Sequence, residues 1–94
     1  MARLRKLKQP KFRIGDTPYL YMYDCTCMVT VTDVYKLGDN YYYDIDASWY
    51  AEGFELVCVS EKMLGNRTDP GKDNIVIDYY DMQRLYRDYK NSNK

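Results

Sequence analysis

Ninety-four residues make one domain, because a chain of this length buries only about 60–65% of its unfolded surface and has no material for a second core. Fourteen bases and fourteen acids cancel overall, yet residues 1–13 carry six bases and no acid, residues 14–82 carry thirteen acids against four bases, and residues 83–94 carry four bases against one acid. No apolar run reaches the roughly 18–20 residues of a bilayer span and none follows the basic start to serve as an export signal. The chain is therefore expected to be cytoplasmic, with no membrane and with a charged macromolecular partner.

Residues 1–10 read as a flexible basic arm. Leu4 and Leu7 stand among Arg3, Arg5, Lys6 and Lys8, and Pro10 stops any helix. With Lys11 and Arg13 these cations have the composition that contacts phosphates, with an affinity that falls as salt rises. From Lys11 the pattern has period two, with Phe12 and Ile14 alternating with Lys11 and Arg13 before a Gly15-Asp16 turn. Residues 19–23 predict a short strand with Tyr19, Tyr21 and Tyr23 on one face and Leu20 and Met22 on the other. Residues 26–36 are the longest strand signal, with Cys27, Val29 and Val31 on one side and Met28, Thr30, Thr32 and Val34 on the other.

Leu37-Gly38-Asp39-Asn40 has the composition of a turn, and residues 41–47 then set Tyr41, Tyr43, Ile45 and Ala47 against Tyr42, Asp44 and Asp46, completing a hairpin. A loop over residues 48–53 holds Trp49 and Tyr50. Residues 54–60 are apolar in both phases, Phe54/Leu56/Cys58 and Val57/Val59, which marks a central strand and leaves its register open. Residues 65–74 have no regular pattern, and residues 75–77 supply a last short strand. Asp78 caps a helix running to about Lys90, with Tyr79, Met82, Tyr86 and Tyr89 at i, i+3, i+7 and i+10. That face packs on the rest of the domain or on a second copy of it, as a possible homodimer.

Five short strands and a terminal helix, without βαβ spacing or repeats, predict a mainly β domain: a small antiparallel barrel over residues 11–77 and a C-terminal helix and tail over 78–94. The segments Lys11-Phe12-Arg13-Ile14-Gly15-Asp16, Val31-Thr32-Asp33-Val34, Tyr41-Tyr42-Tyr43-Asp44-Ile45-Asp46 and Val59-Ser60-Glu61-Lys62-Met63-Leu64 together resemble the small SH3-like barrels of bacterial and phage proteins, over about residues 11–64. The resemblance implies a binding module that grips peptides, nucleic acid or other proteins through loops and an aromatic face. It does not choose among them.

Histidine is absent, which removes the commonest general base and the commonest zinc ligand, and no phosphate-cradling glycine loop is present. The chain is expected to be no enzyme and to carry no cofactor or metal. Three cysteines, an odd number, provide no disulfide framework. Cys25 and Cys27 lack the spacing of a metal knuckle and are expected on opposite faces of a strand, with Cys58 distant, so all three read as small apolar fillers.

Asp44, Asp46, Glu52 and Glu55 form the candidate acidic face for a partner, while Tyr35, Tyr42, Trp49 and Tyr50 form a candidate aromatic surface in and near the loops. The function expected is that of a non-enzymatic module occupying a surface of a larger, nucleic-acid-handling protein or protein–nucleic acid complex. A phage-encoded inhibitor of host defence, such as an anti-CRISPR protein, is a concrete case. The alternatives are direct RNA or DNA binding through the arm and aromatic loops, and an assembly protein that oligomerises through the helix.

Overall fold

In the computed structural model, which describes residues 9–23 and 25–87, the period-two signals become six strands, β1 (Tyr19–Tyr21), β2 (Thr26–Met28), β3 (Thr30–Leu37), β4 (Asn40–Asp46), β5 (Glu55–Ser60) and β6 (Leu64–Gly65). A single 3-10 turn (Glu61–Met63) joins β5 to β6, and one short helix, α1 (Tyr79–Leu85), follows. Arg3, Arg5, Lys6, Lys8 and Tyr89 lie outside the described residues. The strands form two antiparallel three-stranded sheets, in the orders β2-β1-β6 and β3-β4-β5.

The long strand expected over residues 26–36 is broken at Val29, because the chain there changes partner. Val29 donates its N–H to Pro18 (2.9 Å) and Val31 donates to Asp16 (2.9 Å), while Gly15 donates to the Val31 carbonyl (2.8 Å). Residues 15–18 thus run beside the junction and border both sheets. Closure of the two sheets into a barrel is not seen among the described residues; the fold is mainly β, with Leu20, Val29, Val31, Tyr43, Ile45, Leu56, Val59 and Leu64 at most 1% exposed between the sheets.

Residues 11–14 are not a strand. Their N–H groups find side-chain acceptors instead: Lys11 donates to Glu61 Oε2 (3.0 Å), Phe12 to the Tyr43 hydroxyl (3.4 Å) and Arg13 to Asp16 Oδ2 (2.8 Å). Phe12 is buried edge-on against Tyr43, and Ile14, its period-two partner, is left exposed. Residues 75–77 likewise contribute one parallel bridge, Met22 to Ile77, in place of a strand.

β5, expected to be central from its two apolar phases, is instead an edge strand of its sheet, and it resolves the two phases with a bulge. Tyr43 pairs with Val59 and Ile45 with Leu56, so Asp44 stands opposite both Val57 and Cys58, and Cys58 takes a φ of 55°. Leu56 and Val59, three residues apart, therefore both enter the same core, whereas a straight strand would put them on opposite faces.

Both faces of β1 are covered. Leu20 enters the core, and Tyr21, on the other face, is 2% exposed and donates its hydroxyl to the Arg67 carbonyl (2.7 Å). The ring lies so close to Gly65 that a methyl there would collide with the hydroxyl and its ring carbons. Gly65→Ala is expected to cost roughly 1–3 kcal/mol by overpacking. Adding Tyr21→Phe should recover part of the loss by removing the atom in the way; equal melting temperatures for the single variant and the parent would contradict this placement.

The helix is shorter than its pattern predicts. Asp78 caps it, accepting the Asp81 N–H at Oδ1 (2.8 Å), but it ends at Leu85 and not near Lys90. Tyr86 bridges Leu56 and Arg87 donates its N–H to the Glu55 carbonyl (2.9 Å), so the chain leaves the helix to pair with β5. Met82 and Leu85 pack on the core, whereas Tyr79 is 63% exposed and Tyr86 has left the helical face altogether.

Candidate functional site

The loop between β4 and β5 builds an aromatic row. Ala47 donates to the Phe54 carbonyl (2.9 Å), Phe54 to Ala51 (2.9 Å) and Tyr50 to Ala47 (2.8 Å), and Gly53 supplies the positive φ (73°) that turns the chain back. Trp49 meets Tyr50 edge-on at 6.1 Å, Tyr50 meets Phe54 at 5.4 Å, and Phe54 stacks on Tyr86 at 6.1 Å and 28°. Phe54 is buried and forms the base. Trp49, Tyr50 and Tyr86 remain exposed above it. The Trp49 indole N–H is bonded to the Met28 carbonyl of β2, so this ring is held in place before any partner arrives.

The four acids of the candidate face divide into two kinds. Asp44 is nearly buried: its Oδ1 accepts the Tyr35 hydroxyl (2.8 Å) and the bulge N–H of Cys58 (3.1 Å), and its Oδ2 meets Arg87 Nη2 (3.3 Å). Glu55 Oε1 lies 3.1 Å from the other terminal nitrogen of the same guanidinium. One arginine thus clasps two carboxylates from adjacent strands. Asp46 is turned onto its own loop, accepting the Ser48 N–H (2.8 Å) and hydroxyl (2.6 Å), and Glu52 is exposed in the same loop.

Tyr35 and Tyr42 pair across the β3–β4 ladder, on the face that carries Asp44, and both are half-buried. The structure brings Tyr86 and Phe54 to Trp49 and Tyr50 instead. Tyr86 belongs to this row and no longer to the helical face on which its spacing put it with Tyr79 and Met82. Arg87 and Phe54 were not among the candidate site residues, and Cys58, expected as an apolar filler, is half-buried and gives its N–H to Asp44; no local spacing links Arg87 to Asp44, which lies 43 residues away.

Three groups are held protonated. Burial, and then the hydrogen bond to Asp44, pushes the Tyr35 hydroxyl well above the ordinary phenol range; burial, and then the bond to Glu61 (2.5 Å), does the same for Tyr43. Burial, and then the neighbouring Cys25, pushes the Cys27 thiol up from 9.0 to about 11. Two residues apart, Cys25 and Cys27 share the core-facing side of the chain, and their expected placement on opposite faces is corrected accordingly. Raised values mean that the folded state holds these protons more tightly than the unfolded one. Their contribution is complete below the unfolded values of roughly 9–10 and is lost as pH climbs toward the folded ones. Melting temperature is expected to fall from about pH 9 upward, and Tyr43→Phe should flatten the fall; a parent curve flat to about pH 11 would contradict this.

Among the described residues no helix is long and apolar enough to cross a membrane. Comparison of the chain with models of protein families, with curated proteins and with solved structures finds no match, so the aromatic row has to be understood from its own chemistry.

Proposed function

We propose that the chain is a non-enzymatic binding module that docks its aromatic row onto a surface of a larger, nucleic-acid-handling protein. The observation that carries this reading is the row itself: Tyr50 and Tyr86 rest on the buried Phe54, and Trp49 meets Tyr50 and is anchored to β2 by its indole N–H. Tyrosine and tryptophan held rigid at a surface give large contact area with little entropy left to lose, which is the composition of interface hot spots. Partner choice rests on the acidic block around the row. Because Arg87 engages both Asp44 and Glu55, the carboxylates that face a basic partner are Glu52 and, in part, Asp46. The resemblance of residues 11–64 to SH3-like barrels supports the same reading, since that resemblance implies a binding module, and a phage-encoded inhibitor of host defence is a concrete case of it.

The test is affinity capture from a lysate of the source organism, with and without nuclease, using the parent and Trp49→Ala/Tyr50→Ala. A protein retained by the parent after nuclease and released by the double variant, with circular dichroism unchanged, is the expected result. Loss of capture on nuclease treatment would overturn docking by the row and place a nucleic acid between the two proteins. Asp46→Asn/Glu52→Gln should then slow association with the captured partner and weaken its salt dependence.

A further inference from the structure

Residues 37–60, which carry β4, the loop after it and β5, hold five acids and no base. Arg87 reaches this stretch from beyond the helix and lies against Asp44 and Glu55. The acids on either side of the loop's exposed rings are left over. Asp46 takes both Ser48 donors on Oδ1, and its Oδ2 has no donor among the described residues. Glu52 is exposed and makes no hydrogen bond or ion pair among the described residues.

These two carboxylates flank Trp49 and Tyr50 along the chain. Trp49 is 62% exposed although its indole N–H is held by the Met28 carbonyl, so what it presents outward is apolar edge and π-face. Its plane stands at 79° to that of Tyr50. Bonds from the Tyr50 and Ala51 N–H groups to the Ala47 carbonyl, and from Phe54 to that of Ala51, fix the backbone beneath both rings. An apolar partner residue laid here would strip water from the carboxylates without pairing them. A phosphodiester would meet them as like charge. A cation satisfies both halves of the site, the ring through its quadrupole and the carboxylates through their charge. Of the two cationic side chains, arginine has the planar, weakly hydrated group that stacks on a ring while its forked N–H donors reach a carboxylate. The fold already holds one guanidinium in this manner, since Arg87 lies against Asp44 and Glu55 and follows directly on Tyr86 of the row.

We infer that the Trp49–Tyr50 end of the row is a receptor for an arginine side chain of the partner protein, stacked on the exposed rings with Asp46 and Glu52 supplying the countercharge. This rests on docking through the row and names the group that the row recognises. The partner segment is therefore basic, with its arginines exposed. Side chains that contact phosphate in a nucleic-acid-handling protein have that character.

The experiment is fluorescence anisotropy of two labelled nonapeptides titrated with the full chain, one with arginine at every third position among glycines, the other with citrulline, its neutral isostere, in place of arginine. Trp49 is the one tryptophan of the chain, so its emission follows the same titration at the site. The arginine peptide should bind at least about tenfold more tightly than the citrulline peptide at low salt and change the Trp49 emission. Trp49→Leu should weaken it by at least about fivefold, and Trp49→Phe, which keeps a ring face, by less. Asp46→Asn/Glu52→Gln should weaken it by about threefold and flatten its salt dependence, whereas Asp69→Asn/Asp73→Asn, the same change of charge on the loop over residues 65–74, leaves it within about 1.5-fold. Equal binding of the two peptides by the parent, or equal weakening by the two amide pairs, would overturn the inference. An oligouridylate that binds the parent more tightly than the arginine peptide would also overturn it and assign the rings to base stacking. Because the peptides are compared on the unchanged parent, a variant that fails to fold does not decide the result. Capture that depends on Trp49 and Tyr50, with no preference for arginine over citrulline, would remove the arginine receptor and leave docking by the row. A preference for arginine without nuclease-resistant capture would show the receptor and remove the docking reading.

Discussion

Asp44→Ala is expected to lower stability by about 2–4 kcal/mol, a loss that comes mainly from the groups it strands and less from the ion pair it breaks. The side chain of Asp44 is 12% exposed, and its Oδ1 satisfies two part-buried donors: the Tyr35 hydroxyl and the N–H of Cys58 at the bulge. Each unsatisfied buried group costs roughly 1–3 kcal/mol. Arg87, by contrast, is 40% exposed and keeps Glu55 as a partner when Asp44 is gone, so screening by water trims its share. Arg87→Ala should accordingly cost less than Asp44→Ala, and the double-mutant cycle should give a coupling of roughly 0.5–1.5 kcal/mol. Thermal or urea unfolding of the four proteins measures all three quantities. An Asp44→Ala protein within about 0.5 kcal/mol of the parent would show that the bulge does not depend on this carboxylate.

Leu56→Ala and Val59→Ala are both expected to be severe, at about 2–5 and 1.5–3 kcal/mol, while Val57→Ala stays below about 1 kcal/mol. Leu56 and Val59 are fully buried, and Val57 is half-buried beside the bulge. A regular strand has period two and puts positions 56 and 59 on opposite faces, with 57 and 59 on the same one, so finding both 56 and 59 costly and Val57 cheap is a measurement of the bulge itself. Similar effects at Val57 and Val59, both large with Leu56 cheap or both small with Leu56 costly, would place the strand in an unbulged register.

The hairpin of β3 and β4 was readable because local chemistry decides it. Leu37 pairs with Asn40 around Gly38, whose φ is 64°, and alternation on both arms sets the face. The burial of Cys27, Val29, Val31, Tyr43 and Ile45 follows from the same periodicity. What escaped reading depends on long-range side-chain bonds. Phe12 and Lys11 show strand-like alternation, yet their N–H groups are taken by Tyr43 and Glu61, 31 and 50 residues on. The i, i+3, i+7 spacing of Tyr79, Met82 and Tyr86 is helical, yet pairing of Tyr86 and Arg87 with β5 is worth more than one further turn at the end of a short helix. For the candidate surface, Trp49 and Tyr50 were visible as loop aromatics. Phe54 and Tyr86 joined them only once the chain closed, and Asp44 and Glu55 changed role because a distant arginine reached both.

Seating of Tyr86 and Arg87 beside Glu55 and Leu56 has one more effect, on how the molecule behaves among copies of itself. β5 is the outer strand of its sheet, and positions 56–60 read Leu, Val, Cys, Val, Ser without a charge. An open edge of that composition is a template for another chain's backbone and a start for aggregation. The two seated residues occupy part of this template, and the guanidinium adds a charge at its rim. The concentration at which the protein stays monodisperse is thus tied to how rarely this short segment lifts away, a property set by local opening and only loosely by global stability.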